Sequence, residues 1–240
     1  MRTSIQNTVS YNAKGAEAHH LATTDSPGDA VAPGYSYPLT KNQQGLSQNR
    51  CDRRRVGILY ADIAGYSRLT EQDEEGTHLL LIESMKIMKI HISANSGRIA
   101  NTAGDAVLAE FKDADKALHC AINVQQAARH WNANLLPDHQ VRFRIGVNFG
   151  DVITHQGDIF GKAVNLAARL EGLAVTGGIC ISNFARTNLA NQSRSKFVSM
   201  GKCHVKNIIE PVQAFRIEID AQQVIDVDHT SAVKVLALAS

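Results

Sequence analysis

The chain has no CxxC pair, and its four cysteines, Cys51, Cys120, Cys180 and Cys203, stand far apart. That spacing argues against a structural zinc site and leaves free thiols of a reducing compartment as the simpler reading. A long apolar run is also missing. The longest aliphatic cluster, Leu79-Leu80-Leu81-Ile82, falls far short of the roughly 20 residues that a membrane-spanning helix needs. Met1 to Lys14 is polar and holds no apolar core of signal-peptide length. These absences make the chain read as cytoplasmic, with no membrane segment. Nor is there an excess of one charge: 25 Lys and Arg face 23 Asp and Glu, a formal net charge of +2. Such a balance gives no reason to expect a nucleic-acid partner. The nearest thing to a basic patch, Arg53-Arg54-Arg55, reads as the solvated start of a strand. No internal repeat is visible.

Proline is scarce and unevenly placed, with Pro27, Pro33 and Pro38 among the five in the chain. Residues 1–52 are rich in Ser, Thr, Asn, Gln, Gly and Ala and show no sustained periodicity. Such a segment cannot bury enough apolar surface to offset its ordering entropy, so it is read as a disordered leader. A folded domain is expected over 53–219 and a tail without clear pattern over 220–240, where Val233 to Leu238 could form a terminal turn.

Within 53–219 the pattern changes. Val56 to Ala61 is a short apolar run ending at Asp62, as expected of a buried strand. Ser67 or Thr70 could cap a following helix whose inner surface draws on Leu79, Ile82, Met85, Ile87, Ile90 and Ile92, ended near Gly97. Residues 98–102 and 106–111 read as two strands around Gly104-Asp105, a tight hairpin. A helix follows over about 113–134, with Ala117, Ala121, Val124 and Ala128 on one stripe. Next come a strand over 141–148, a second over 152–155 after Gly150-Asp151, and a helix from about Phe160 to Leu173. A strand Ile179–Ser182, a short helix and two strands near 196–205 and 211–219 complete the set. This order describes an α+β sandwich, a mainly antiparallel sheet covered by helices.

Two constellations carry chemistry. Asp62 and Asp105 each end an apolar strand beside glycine. Brought together on adjacent strands, such carboxylates could hold hard divalent cations, which favour oxygen ligands; either alone could as well be a turn residue. The turn Ala64-Gly65-Tyr66 could offer backbone N–H groups to phosphate oxygens. The second constellation is Gly157-Asp158-Ile159-Phe160-Gly161 followed by Val164 to Leu170, in which Asn165 and Arg169 are four apart and share a helix face. A local hydrogen bond on a half-exposed helix would explain that pair equally well.

Five separated strings then stand in order: Tyr60 to Ser67, Thr102-Ala103-Gly104-Asp105, Phe143 to Val147, Asp158 to Gly161 with Val164 to Leu170, and Val205-Lys206-Asn207. In that order they resemble the catalytic domain of class III adenylate/guanylate cyclases, over Val56 to about Ile219. The resemblance implies a ferredoxin-like cyclase sandwich that converts ATP to 3′,5′-cyclic AMP and pyrophosphate. By the same likeness Asp62 and Asp105 would bind two Mg2+ or Mn2+ ions per site, with the Ile63 carbonyl as a further ligand. Arg169 would stabilise charge at phosphorus, Asn165 would orient the ribose and Lys206 would meet the terminal phosphates. Asp158 would read the purine by accepting from the adenine amino group.

One position departs from the pattern. Where ATP-selecting members usually place lysine, this chain has Asn101, a shorter and uncharged donor. A guanylate or promiscuous cyclase and a non-catalytic nucleotide-binding partner of another cyclase are therefore kept as alternatives. A diguanylate cyclase or polymerase-palm relative fits the helix 164–170 less well. In the family the metal aspartates of one protomer face the Asn/Arg helix of the other, so a homodimer is expected.

Overall fold

The computed structural model describes residues 52–133, 135–190 and 195–219. All belong to the unit Asn49–Ser240; the unit Met1–Gln48 lies outside the described residues. So do the tail from 220 and the turn expected over 233–238. Among the described residues, no helix is long and apolar enough to cross a membrane.

The chain runs β1 (Asp52–Ile63), α1 (Tyr66–Gln72), α2 (Glu74–Ala94), β2 (Arg98–Ala103), β3 (Ala106–Phe111), α3 (Ala114–Asn132), β4 (Phe143–His155), β5 (Asp158–Phe160), α4 (Lys162–Leu173), β6 (Ile179–Ser182), α5 (Asn183–Thr187), β7 (Lys196–Cys203) and β8 (Val212–Glu218). One sheet holds all the strands in the order β2-β3-β1-β4-β6-β8-β7, with β5 paired to β4. Among the described residues only the β4–β6 pair is parallel; the others are antiparallel. The expected α+β sandwich with a mainly antiparallel sheet is therefore the fold.

β1 is central, which is why its apolar run is nearly continuous. Leu59, Ala61 and Ile63 point into a core shared with Val107, Ala109, Phe111, Phe143 and Ile145, closed by α2 and α3. Their alternates Val56 and Ile58 face the other side, against Leu108, Val152, Ile159 and Ala167 of α4. Gly146 makes the second packing possible. A Cβ there would stand 2.1 Å from the Ala167 carbonyl oxygen and 2.4 Å from the Glu171 nitrogen, so α4 rests directly on β4.

Several boundaries differ from those expected from the sequence. The strands expected at 141–148 and 152–155 are one strand, because the Asp52–Arg55 extension of β1 pairs across Gly150-Asp151. Arg53, Arg54 and Arg55 are the exposed start of that strand, and Arg55 pairs with Asp151 at 2.9 Å. Neither Ser67 nor Thr70 is a cap. Gly65, at φ 76°, is the N-cap of α1, Asp73 caps α2, and Thr70 Oγ1 donates to the Tyr66 carbonyl. On α2 the buried row is Thr77, Ser84, Met88 and Ile92, leaving Leu79 and Ile82 exposed. The helix is aliphatic around much of its girth, so its pattern alone did not mark which row meets the sheet. Phe160 belongs to β5, where it pairs with Ile153, and α4 begins two residues later.

Candidate active site

Asp62 is the penultimate residue of β1, and Asp105 lies in the turn joining β2 to β3 behind Gly104 at φ 61°. β3 pairs with β1, Val107 opposite Ala61, which carries that turn to the end of β1. There Asp105 Oδ2 accepts from the Ile63 N–H at 3.2 Å. Burial, reinforced by the neighbouring Asp62 carboxyl, pushes Asp105 up to about 7. A carboxyl raised in this way beside a second one makes an oxygen-rich pair whose repulsion a divalent cation would relieve. No third His, Cys, Asp or Glu joins them among the described residues. Further ligands would have to be backbone oxygen, water or a bound anion.

Sequence reading missed Arg144 and Glu171. Arg144 stands opposite Asp62 in the β1–β4 register, and its Nη2 donates to Asp62 Oδ2 at 2.8 Å. Its Nε lies 2.8 Å from Glu171 Oε1 on α4, an ion pair without hydrogen-bond alignment. Burial pushes the Glu171 carboxyl up, with Arg144 opposing. A cation thus ties the carboxylate end of β1 to α4. The signal was available: Arg144 is the charged residue inside the quoted string Phe143 to Val147. Tyr60 lies near the same groups. Burial first, then the charges of Glu171, Asp62 and Asp105, raise its hydroxyl above the usual phenol value, against the pull of Arg169.

The remaining candidates form two further groups. On β2 and β5, Asn101 Nδ2 donates to Asp158 Oδ2 at 2.6 Å, while Asp158 Oδ1 accepts from the Ile159 N–H at 2.6 Å. On α4, Asn165 is exposed, and Arg169 Nε donates to the Lys206 carbonyl at 3.1 Å. That bond draws the β7–β8 connection, with its exposed Lys206, to the helix face of Arg169. In the Ala64-Gly65-Tyr66 turn the Ala64 N–H is already donated to the Arg142 carbonyl at 2.8 Å. Phosphate contact from Ala64 would require that bond to be exchanged.

Residues 49–218 match the family model described as the adenylate and guanylate cyclase catalytic domain. A Rhizobium meliloti (strain 1021) protein provisionally named adenylate cyclase 3 is 42% identical over 168 residues, 70% of this chain and 29% of that protein. An adenylate cyclase of Streptomyces coelicolor is 35% identical over 133 residues, 55% of this chain and 33% of that one. The chain therefore spans about a third of the length of these curated relatives. Among solved structures, the adenylate/guanylate cyclase/hydrolase from Silicibacter pomeroyi superposes with a TM-score of 0.64 at 37% identity, covering 71% of this chain and 99% of that one.

Proposed function

This chain belongs to the adenylate and guanylate cyclase catalytic domain family, and from that premise we propose that it is an adenylate cyclase acting as a homodimer. Asp62, Asp105 and the Ile63 carbonyl would hold the cations. Two divalent ions, when bound, lower the pKa of the ribose 3′-hydroxyl and offset triphosphate charge. The 3′-oxygen gives up its proton to water, attacks the α-phosphorus of the same nucleotide, and the bond to the bridging oxygen breaks to release pyrophosphate. Arg169 meets the charge that grows on phosphorus, where a fixed donor is worth most. Asn165 orients the ribose, and Lys206 serves the terminal phosphates as a point charge. Arg144 holds Asp62 in place against Glu171, so that its carboxylate is oriented as a ligand would be.

The observation that carries the reading of a base-recognition pair, with ATP as its first candidate, is the Asn101–Asp158 hydrogen bond at 2.6 Å. It fixes a carboxylate acceptor suited to the adenine amino group and leaves the second amide hydrogen of Asn101 for a ring nitrogen. The same observation supports a second reading. An uncharged amide could also donate to the guanine carbonyl while Asp158 accepts from the guanine ring N–H.

Cyclic AMP and cyclic GMP formation, measured with each nucleotide in Mg2+ and in Mn2+, separates these readings. ATP selectivity predicts kcat/KM at least about tenfold higher for ATP, and Asn101→Lys should lower KM for ATP with little change in kcat. Comparable rates with both nucleotides would make the enzyme promiscuous. No product from either, in a folded chain, would overturn the catalytic reading.

A further inference from the structure

We infer that Arg98 and Glu110 form a strut that positions Asp158 for base recognition, which makes them specificity-determining residues outside the site proper. The inference rests on the reading of Asp158 as the base-reading carboxylate. β5 pairs in the sheet with β4 alone, so β2 reaches the β4–β5 hairpin through side chains. Two bonds make the connection. One is the Asn101–Asp158 contact; in the other, Arg98 Nη1 donates to the Gly157 carbonyl at 2.5 Å. Gly157 at φ 82° and Gln156 at φ 49° form the hairpin turn immediately before Asp158. A carbonyl held at that turn fixes where the Asp158 backbone departs.

Arg98 is itself held from behind. Its Nε donates at 2.6 Å to Oε1 of Glu110, directly opposite it in the β2–β3 register. Glu110 has a side chain only 5% exposed and sits in a strand whose neighbours Val107, Leu108, Ala109 and Phe111 are buried. Arg54 of β1 pairs with the same Oε1 from the other side, while Oε2 is buried without a hydrogen-bond partner. Sinking a carboxylate into an apolar strand is costly, and a hydrophobic residue would usually do as well for stability. What a hydrophobic residue cannot do is orient a guanidinium. The planar fork of Arg98 addresses a carboxylate and a backbone carbonyl at once, in a geometry set by its own rigidity. With Asp158 as the base contact, a strut that meets only its hairpin would act on nucleotide binding and discrimination more than on the chemical step.

Arg98→Lys separates positioning from folding. The ammonium keeps a positive charge beside Glu110 but is a single point donor that cannot span both acceptors in the fork geometry. Arg54→Ala is the control, since Arg54 meets the same carboxylate and does not touch Gly157. For each protein, affinities for the non-cyclisable α,β-methylene analogues of ATP and GTP are measured by calorimetry, beside kcat, KM and the melting temperature. Arg98→Lys should keep its melting temperature and bring the ATP:GTP affinity ratio about fivefold closer to one, the size of one lost hydrogen bond. Its kcat should fall less than about twofold, and Arg54→Ala should keep the parental ratio. An unchanged ratio in Arg98→Lys, or an equal loss in Arg54→Ala, overturns the strut. A parental chain that turns over neither nucleotide defeats the catalytic reading, and the binding ratios still decide the strut; equal affinity of the parental chain for both analogues defeats the strut itself.

Discussion

Asp105 shows how a single side chain links stability to the reaction. Its carboxyl, pushed up to about 7 by burial and by Asp62, keeps its proton in the folded, metal-free chain where the unfolded chain, titrating near about 3.9, has lost it. Folding therefore takes up a proton. This contribution to stability is fully present below about pH 4 and is lost as pH rises through about 7. The melting temperature of the chain in chelator should accordingly fall between pH 5 and pH 8. Asp105→Asn, neutral throughout, should flatten that slope while abolishing cyclisation, and adding Mn2+ at pH 8 should restore the melting temperature of the parental protein. Equal slopes in the two proteins would assign the titration to another group.

At the scale of elements, α4 matters most. It carries Asn165 and Arg169, contributes Glu171 to the Arg144 bridge, and lies against Gly146 with no room for a side chain. In Gly146→Ala the new methyl would meet backbone on both near sides, the Ala167 carbonyl at 2.1 Å and the Glu171 nitrogen at 2.4 Å, and neither can move without shifting the helix. A loss of about 1–3 kcal/mol in denaturant unfolding is expected from such overpacking. Activity should fall by more than the stability loss explains, because the face bearing Asn165 and Arg169 moves with the helix. Full activity in the folded fraction would show that α4 tolerates the displacement.

The whole molecule raises the question of where one site ends. Within the chain, Asp62 is held by Arg144, and Arg169 is turned to the Lys206 carbonyl. A shared site, as the homodimer proposal requires, would set the carboxylate pair of one copy against the Asn165 and Arg169 face of a second. Mixing inactive Asp105→Asn with inactive Arg169→Ala should restore activity to about a quarter of the parental level. Half of the dimers in an equal random mixture are then mixed, each with one intact site of two, by the statistics of closed C2 assembly. Silence on mixing, with both chains folded and associating, would rule out shared sites.

The sequence by itself determined the α+β class, most elements and the identity of the family, because strand alternation, glycine turns and five ordered strings are local properties of the chain. It also named Asp62 and Asp105 as a pair, though only the β1–β3 register decided that they meet. Other features had no local signature. The fusion of two expected strands into β4 depended on the β1 extension from Asp52, and the buried row of α2 depended on which side of a helix aliphatic around much of its girth the sheet occupied. Arg144 and Glu171 lie far apart in sequence from each other and from Asp62, as Arg98 does from Gly157, so none announced its partner. A side chain's type is written in the chain, but the charge opposite it is set by strand register and helix docking, and those exist only once the sheet has closed around β1.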